Sequence, residues 1–335
     1  MIANLGGKSR KITDGMTTKK IAFLFPGQGS QTVGMGRALA EAFPVAAATF
    51  EEADDALGFA LSRVFLDGPE EELRLTENTQ PAILTVSVAA WRVLAEHGVR
   101  PALAAGHSLG EWSAHVASGT LSFADAVRAV KARGAAMQRA VPAGEGAMAA
   151  VLALPAEQIA EACAEAATAT GKVVSAANFN SPDQTVISGA VAAVEKAAEL
   201  VKERGARKVV MLPVSAPFHC ALMQPAQEAV AKFLDGLTLG EPGIPVAANV
   251  SGGLLTSSAA AKQALIEQVT GTVRWVGCVQ ALVGAGAEIF VEVGPGKVLT
   301  GLMRQIDRGQ KCVNVEDPGS LEKALAEIRD VGTKD

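Results

Sequence analysis

The chain has 335 residues, 49% hydrophobic and 19% charged, with 30 Lys+Arg against 35 Asp+Glu and a formal net charge of −5. That composition describes a soluble globular protein with a sizeable core, and its acidic balance excludes nucleic acid as a main partner. No run of 18 apolar residues occurs, so no membrane span is expected; the four scattered cysteines (Cys163, Cys220, Cys278, Cys312) form neither a zinc pattern nor a disulfide frame, which fits reduced thiols in a cytoplasm.

Residues 1–20 carry Lys8, Arg10, Lys11, Lys19 and Lys20 without an apolar stretch. They read as a disordered basic tail and not as a secretory signal, with Met16 a candidate start. Ile21–Phe25 reads as a buried strand stopped by Pro26-Gly27-Gln28-Gly29. Helical patterns follow over 35–43, 46–57 and 81–97, then a strand over 102–105 and a helix from Leu109. Ser122 and Asp125 form a capping box that opens a helix running to about Ala140. The middle of the chain changes character: strand 147–154, helix 156–168, strands 173–177 and 185–188 joined by Asn180-Ser181-Pro182-Asp183, helix 192–204 and strand 208–212. That order, β-α-β-β-α-β, is the ferredoxin-like arrangement. Helices at 225–234, 259–269 and 276–283, a strand at 288–293 and a helix at 321–328 complete the chain. The expected fold class is α/β: an α/β-hydrolase-like large domain, discontinuous over 21–142 and 211–335, with a ferredoxin-like small domain inserted at 143–210. The cleft between them is a favoured place for a ligand.

The most informative stretch is Ala105-Gly106-His107-Ser108-Leu109-Gly110-Glu111. It has the G-x-S-x-G form of a nucleophile elbow, in which a sharp strand-to-helix turn exposes a serine at a helix N-terminus. The glycines are expected to keep the serine from being crowded out of that position. Alone the motif is weak; the bland alternative is a glycine-rich turn with Ser108 and Glu111 as an ordinary capping box.

A serine hydroxyl needs a base, usually histidine, and the chain holds four. His107 adjoins Ser108 and is expected to project away from it. His115 lies two turns down the following helix, and His97 sits at a helix C-terminus, where a cation is favoured locally. That leaves His219, in Ala216-Pro217-Phe218-His219-Cys220, with a structural histidine as the alternative. Cys220 reads as a buried thiol before a rival nucleophile. Arg133 is either a solvated charge or, between Ala132 and Gly134, a guanidinium open to a carboxylate ligand. The loop after the first strand lacks a phosphate-binding pattern, but it can supply a backbone N–H to an oxyanion.

Taken together, Phe25-Pro26-Gly27-Gln28-Gly29-Ser30-Gln31, the Ser108 elbow, Arg133-Gly134, Asn178-Phe179-Asn180-Ser181-Pro182, Phe218-His219, Gln268 and Glu292-Val293-Gly294-Pro295-Gly296-Lys297 closely resemble the malonyl-CoA:acyl carrier protein transacylases of dissociated fatty-acid synthesis, from about Lys20 to Ile328. The resemblance implies a ping-pong reaction. Malonyl-CoA acylates Ser108, and the phosphopantetheine thiol of acyl carrier protein then takes the malonyl group. It also implies His219 as base, Gln268 orienting His219 through its main-chain carbonyl, and the N–H groups of Gln28 and Leu109 as the oxyanion hole. Arg133 would bind the malonyl carboxylate, while Asn178 and Asn180 line the cleft from the small domain. Phe218 before His219 matches malonyl-selective members. No metal and no bound cofactor are implied, and the expected protein is a cytoplasmic monomer whose partners are malonyl-CoA and acyl carrier protein. A serine esterase or thioesterase, a non-catalytic carrier-docking module and an acyltransferase of polyketide synthesis share parts of the pattern.

Overall fold

The structure is a computed structural model that describes residues 19–214 and 216–330. The tail expected over 1–20 lies outside the described residues up to position 18.

Among the described residues, ten strands form two sheets. They are β1 (Ile21–Phe25), β2 (Leu103–Gly106), β3 (Gly146–Leu152), β4 (Val174–Ser181), β5 (Gln184–Ala190), β6 (Lys208–Met211), β7 (Val246–Ala247), β8 (Leu254–Leu255), β9 (Ile289–Val293) and β10 (Lys311–Val315). The larger sheet runs β10-β9-β1-β2-β7-β8. All its pairs are parallel except β7 with β8. β1 is buried along its whole length. Ile21, Phe23 and Phe25 join one core cluster with the helix Thr76–Glu96, while Ala22 and Leu24 join a second with Trp275, Leu299 and Leu302. A parallel strand covered on both faces buries every position, which is why Ile21–Phe25 is apolar throughout and shows no alternation. Phe25 pairs with Gly106, so the loops after β1 and β2 leave the sheet side by side at its C-terminal edge. That edge is the usual ligand position in such sheets.

The smaller sheet has the order β4-β5-β3-β6, antiparallel throughout, which is the ferredoxin-like topology. One face packs under the helices Ala156–Thr170 and Val191–Glu203 through Ala149, Val151 and Ile187. On the other, Met148, Ala177 and Val186 join the large-sheet core cluster. β4 is tied to the rest of the chain by Phe179 N donating to Val273 O (2.9 Å) and Val273 N to Ala177 O (2.8 Å).

Several local expectations differ from what is observed. The helix expected from Pro81 begins at Thr76, with Pro81 inside it. The polar run Asn78-Thr79-Gln80 resembles a loop only until its partners are seen: Asn78 donates to Glu72 O (2.9 Å), and Gln80 accepts from Arg133 (2.8 Å). The helix expected from 35 starts at Arg37, because Gly36 takes φ +76°. Strand β4 continues through Ser181, so Asn180 lies in a strand and not in the connecting turn. The helix Val298–Ile306 and the edge strand β10, which the sequence pattern left unassigned, are both present. The buried Glu292 carboxylate accepts from Leu299 N (2.9 Å) and Thr300 N (2.7 Å), satisfying donors at the N-terminus of that helix. No helix among the described residues is long and apolar enough to cross a membrane.

Candidate active site

Ser108 occupies the tip of the turn between β2 and the helix Leu109–Ala117 with φ +49°, ψ −104°. Its side chain makes no capping bond, which removes the ordinary capping-box alternative. A non-glycine residue held there costs about 1–3 kcal/mol and persists only where its surroundings enforce it. The two glycines permit the turn by close approach. A Cβ on Gly106 would fall 1.9 Å from the Gly110 carbonyl, and one on Gly110 would fall 2.0 Å from Phe25 O. The glycines thus serve backbone packing at the helix start, beyond the exposure of the serine.

Ser108 Oγ lies 2.7 Å from His219 Nε2, and His219 Nδ1 lies 2.8 Å from Gln268 O. A carbonyl only accepts, so Nδ1 carries the ring proton and Nε2 is left to accept the serine hydroxyl. His219 is buried and itself at φ +59°. Burial first, and then the Arg133 charge, hold its pKa down to about 3, so the ring is a neutral base at ordinary pH.

Arg133 is 1% exposed, so the solvated alternative does not hold. Its Nη1 donates to Gln80 Oε1 (2.8 Å); its Nη2 donates to Gln268 Oε1 (2.8 Å) and to Ser108 Oγ (3.2 Å). Burial lowers its pKa to about 10, partly offset by Glu111, which leaves it cationic. Gly134 has a packing role and not the ligand-access role expected for it: a Cβ there would meet Thr76 O at 2.6 Å, where two helices cross.

These groups face a cavity of about 870 Å³ whose walls include Gln28, Leu109, Asn178 and Asn180, with His107, Met148 and Phe218. The Gln28 and Leu109 N–H groups take no acceptor among the described residues. Asn178 and Asn180 are two apart on β4 and reach the same cavity. His107 does not simply point away from the site: its Nε2 contacts Asn180 Oδ1 at 2.8 Å. His97 instead meets Val93 O (2.9 Å), and His115 is fully buried, its Nε2 4.0 Å from Glu111. Cys220 is buried against Pro217 O, and burial raises its pKa, as expected of an inert thiol.

Two supporting residues, Asn249 and Gln80, were not singled out from sequence, and Glu111 was read there only as a possible capping partner of Ser108. Asn249 accepts from Ser108 N (2.7 Å), Gln80 accepts from Arg133, and Glu111 Oε2 accepts from Gln268 Nε2 (2.7 Å) and Asn249 N (3.1 Å). Burial pushes the Glu111 pKa up to about 7, against the opposing pull of Asn249, Gln268 and Arg133. The only sequence signal for Asn249 was a polar residue ending the apolar run Val246-Ala247-Ala248. No group of His, Cys, Asp and Glu suited to a metal ion occurs among the described residues.

Residues 22–322 match the acyl transferase domain family. A malonyl CoA-acyl carrier protein transacylase of Bacillus subtilis is 47% identical over 311 residues, covering 93% of this chain and 98% of that protein. One from Escherichia coli K12 is 48% identical over 307 residues, covering 91% and 99%. The crystal structure of an acyl carrier protein S-malonyltransferase from Vibrio cholerae superimposes with a TM-score of 0.89 at 50% identity, covering 91% and 100%. A malonyl-transacylase in complex with a type II PKS acyl-carrier protein superimposes with a TM-score of 0.89 at 46% identity, covering 92% and 100%.

Proposed function

Because this chain belongs to the acyl transferase family, among the malonyl-CoA:acyl carrier protein transacylases, we propose that it moves malonyl from malonyl-CoA to the phosphopantetheine thiol of acyl carrier protein through an ester on Ser108, supplying fatty-acid synthesis. What carries the proposal is the unbroken run of contacts from Gln268 O through His219 to Ser108 Oγ, with the Arg133 guanidinium 3.2 Å from the same oxygen. His219 Nε2 takes the hydroxyl proton as Ser108 attacks the thioester carbonyl. The oxyanion forms against the N–H groups of Gln28 and Leu109. CoA leaves as its thiol, taking that proton from His219. In the second half the carrier thiol gives its proton to His219 and attacks the ester, and Ser108 leaves with the proton restored.

Arg133 holds the free carboxylate of the malonyl group. A cation whose hydrogen bonds go to neutral oxygens retains most of its charge for an anion. The Gln268 main-chain carbonyl stands where many serine enzymes place an acid; it fixes the ring tautomer without adding a negative charge. Residues 143–210 form the wall that shapes access and carrier docking, Asn178 and Asn180 among them, and residues 21–142 with 211–335 carry the chemistry. Cys163, Cys220, Cys278 and Cys312 all carry free thiols, which supports a reducing, cytoplasmic setting. The test is intact mass after mixing with malonyl-CoA and no acceptor. One malonyl adduct is expected, on the peptide holding Ser108; a label on Cys220, or none, rules out the serine mechanism.

A further inference from the structure

We infer that Asn249 is a positioning residue of this site: it holds Ser108 in its left-handed turn and keeps the Ser108 N–H out of the oxyanion pocket. The inference rests on the proposal that Ser108 is the nucleophile.

Asn249 follows β7, which pairs with β2 at Ala104 and Ala105, so the side chain arrives beside the turn that β2 enters. Its Oδ1 accepts from Ser108 N (2.7 Å), and its Nδ2 donates to Gly106 O (2.8 Å). A backbone N–H can only donate and a carbonyl can only accept, so the amide has one orientation. One side chain therefore spans the tip of the elbow, from the residue before His107 to the residue after it. The main chain of Asn249 is held in turn: its N–H reaches Glu111 Oε2 (3.1 Å), and its C=O accepts from Arg274 N (2.8 Å). The other backbone polar group of Ser108, its C=O, accepts from Gln268 Nε2 (2.9 Å), and the same nitrogen reaches Glu111 Oε2. Both backbone groups of the strained residue are thus gripped by buried amides that share one carboxylate. Gln268 also aligns His219, so a single network sets the positions of both members of the Ser108–His219 pair.

The consequence concerns the oxyanion. Ser108 N is committed to Asn249, and Gly110 N is committed to His107 O (2.9 Å). At the start of the helix Leu109 N takes no acceptor among the described residues, and Leu109 lines the cavity together with Gln28. Freed from Asn249, Ser108 would relax out of φ +49°, and Oγ and Leu109 N would move with it. A misplacement of about 1 Å at such a site costs on the order of 10²-fold in rate.

Full-length wild type, Asn249→Ala and Asn249→Asp are compared in single-turnover acylation by saturating malonyl-CoA. The Kd for malonyl-CoA is measured separately in a Ser108→Ala background with and without Asn249→Ala. Asn249→Ala should acylate on the order of 10²-fold more slowly with Kd within about twofold of the control. Asn249→Asp, which keeps an acceptor for Ser108 N–H, should recover part of the loss. Should Asn249→Ala not fold, Asn249→Ser supplies the same comparison, since its hydroxyl is too short to span both partners. An unlabelled wild type overturns the nucleophile and this inference with it. A labelled wild type with an Asn249→Ala rate within about twofold of normal overturns the inference alone. So does a Kd that weakens in step with the rate, because Asn249 would then only shape the cavity.

Discussion

The two sheets meet at one cavity but bring different things to it. The large sheet is parallel in its centre and buried on both faces, so its functional groups can emerge only at strand ends. It delivers Gln28 after β1, and Ser108 and Leu109 after β2; the helix Phe123–Arg139 adds Arg133, Gln268 follows the helix Ser258–Glu267, and His219 sits in the segment that returns from the small sheet after β6. The small sheet is antiparallel, with one face under two helices and the other turned to the cavity. It contributes Met148, Val186, Asn178 and Asn180, all uncharged, and its edge strand β6 leaves Met211 48% exposed. Among the described residues, the side chains that hydrogen-bond Ser108 Oγ are His219 and Arg133, both outside the small sheet. Buried charge and a strained turn demand a rigid surround, which a sheet covered on both faces supplies.

The largest expected effect falls on the charged and strained side. His219→Ala removes the base and should slow malonyl transfer by roughly 10²–10⁴-fold, whereas His115→Ala and His97→Ala should leave the chemistry largely intact. Because the His219 pKa lies near 3, the wild-type acylation rate should show no limb from this ring between pH 5 and 8, its neutral form being the active one throughout. A transfer assay that finds His219→Ala near normal and His115→Ala inactive would reassign the base.

Next comes Arg133→Ala. Losing a charge-assisted contact worth about 1.5–3 kcal/mol should cut kcat/KM for malonyl-CoA by about 10- to 150-fold. Acetyl-CoA has no carboxylate to lose, so it should suffer less, and the acetyl-to-malonyl preference should rise. Lysine should rescue only in part, because it offers charge without the planar fork. Equal fractional losses for both substrates would make Arg133 structural, through its grip on Gln80 and Gln268.

The smallest effect is expected from the small sheet. Asn180→Ala removes the partner of His107 and a donor to Gln184, contacts worth about 0.5–1.5 kcal/mol each. Transfer to carrier protein should weaken by several-fold while acylation at saturating malonyl-CoA still completes. A folded Asn180→Ala protein that cannot be acylated would move the chemistry onto the small sheet and erase the division.

Much of this arrangement was legible beforehand. Ile21–Phe25 could be read residue by residue because a doubly covered strand leaves a continuous apolar run. The Ser122 cap was legible because capping is local: Ser122 Oγ accepts from Asp125 N (3.1 Å). The start of the Thr76–Glu96 helix was not, because its polar first turns are satisfied by residues some 50 positions away, such as Arg133. Strand β10 was missed because an edge strand, partly exposed, carries little alternation.

By itself the sequence determined the α/β alternation, the inserted β-α-β-β-α-β order, the Gly106–Gly110 turn and the small set of polar residues able to do chemistry. Each of those is written in neighbours within a few positions, where backbone sterics and hydrophobic period act directly. Only the tertiary structure decided that Arg133 is buried, that Gly134 serves a helix crossing and that Glu111, Gln268 and Asn249 close behind Ser108 as one network. Those facts depend on contacts between groups 19 to 160 positions apart. A buried polar side chain and an exposed one have the same letter, and what separates them is whether the fold brings a partner within hydrogen-bond distance.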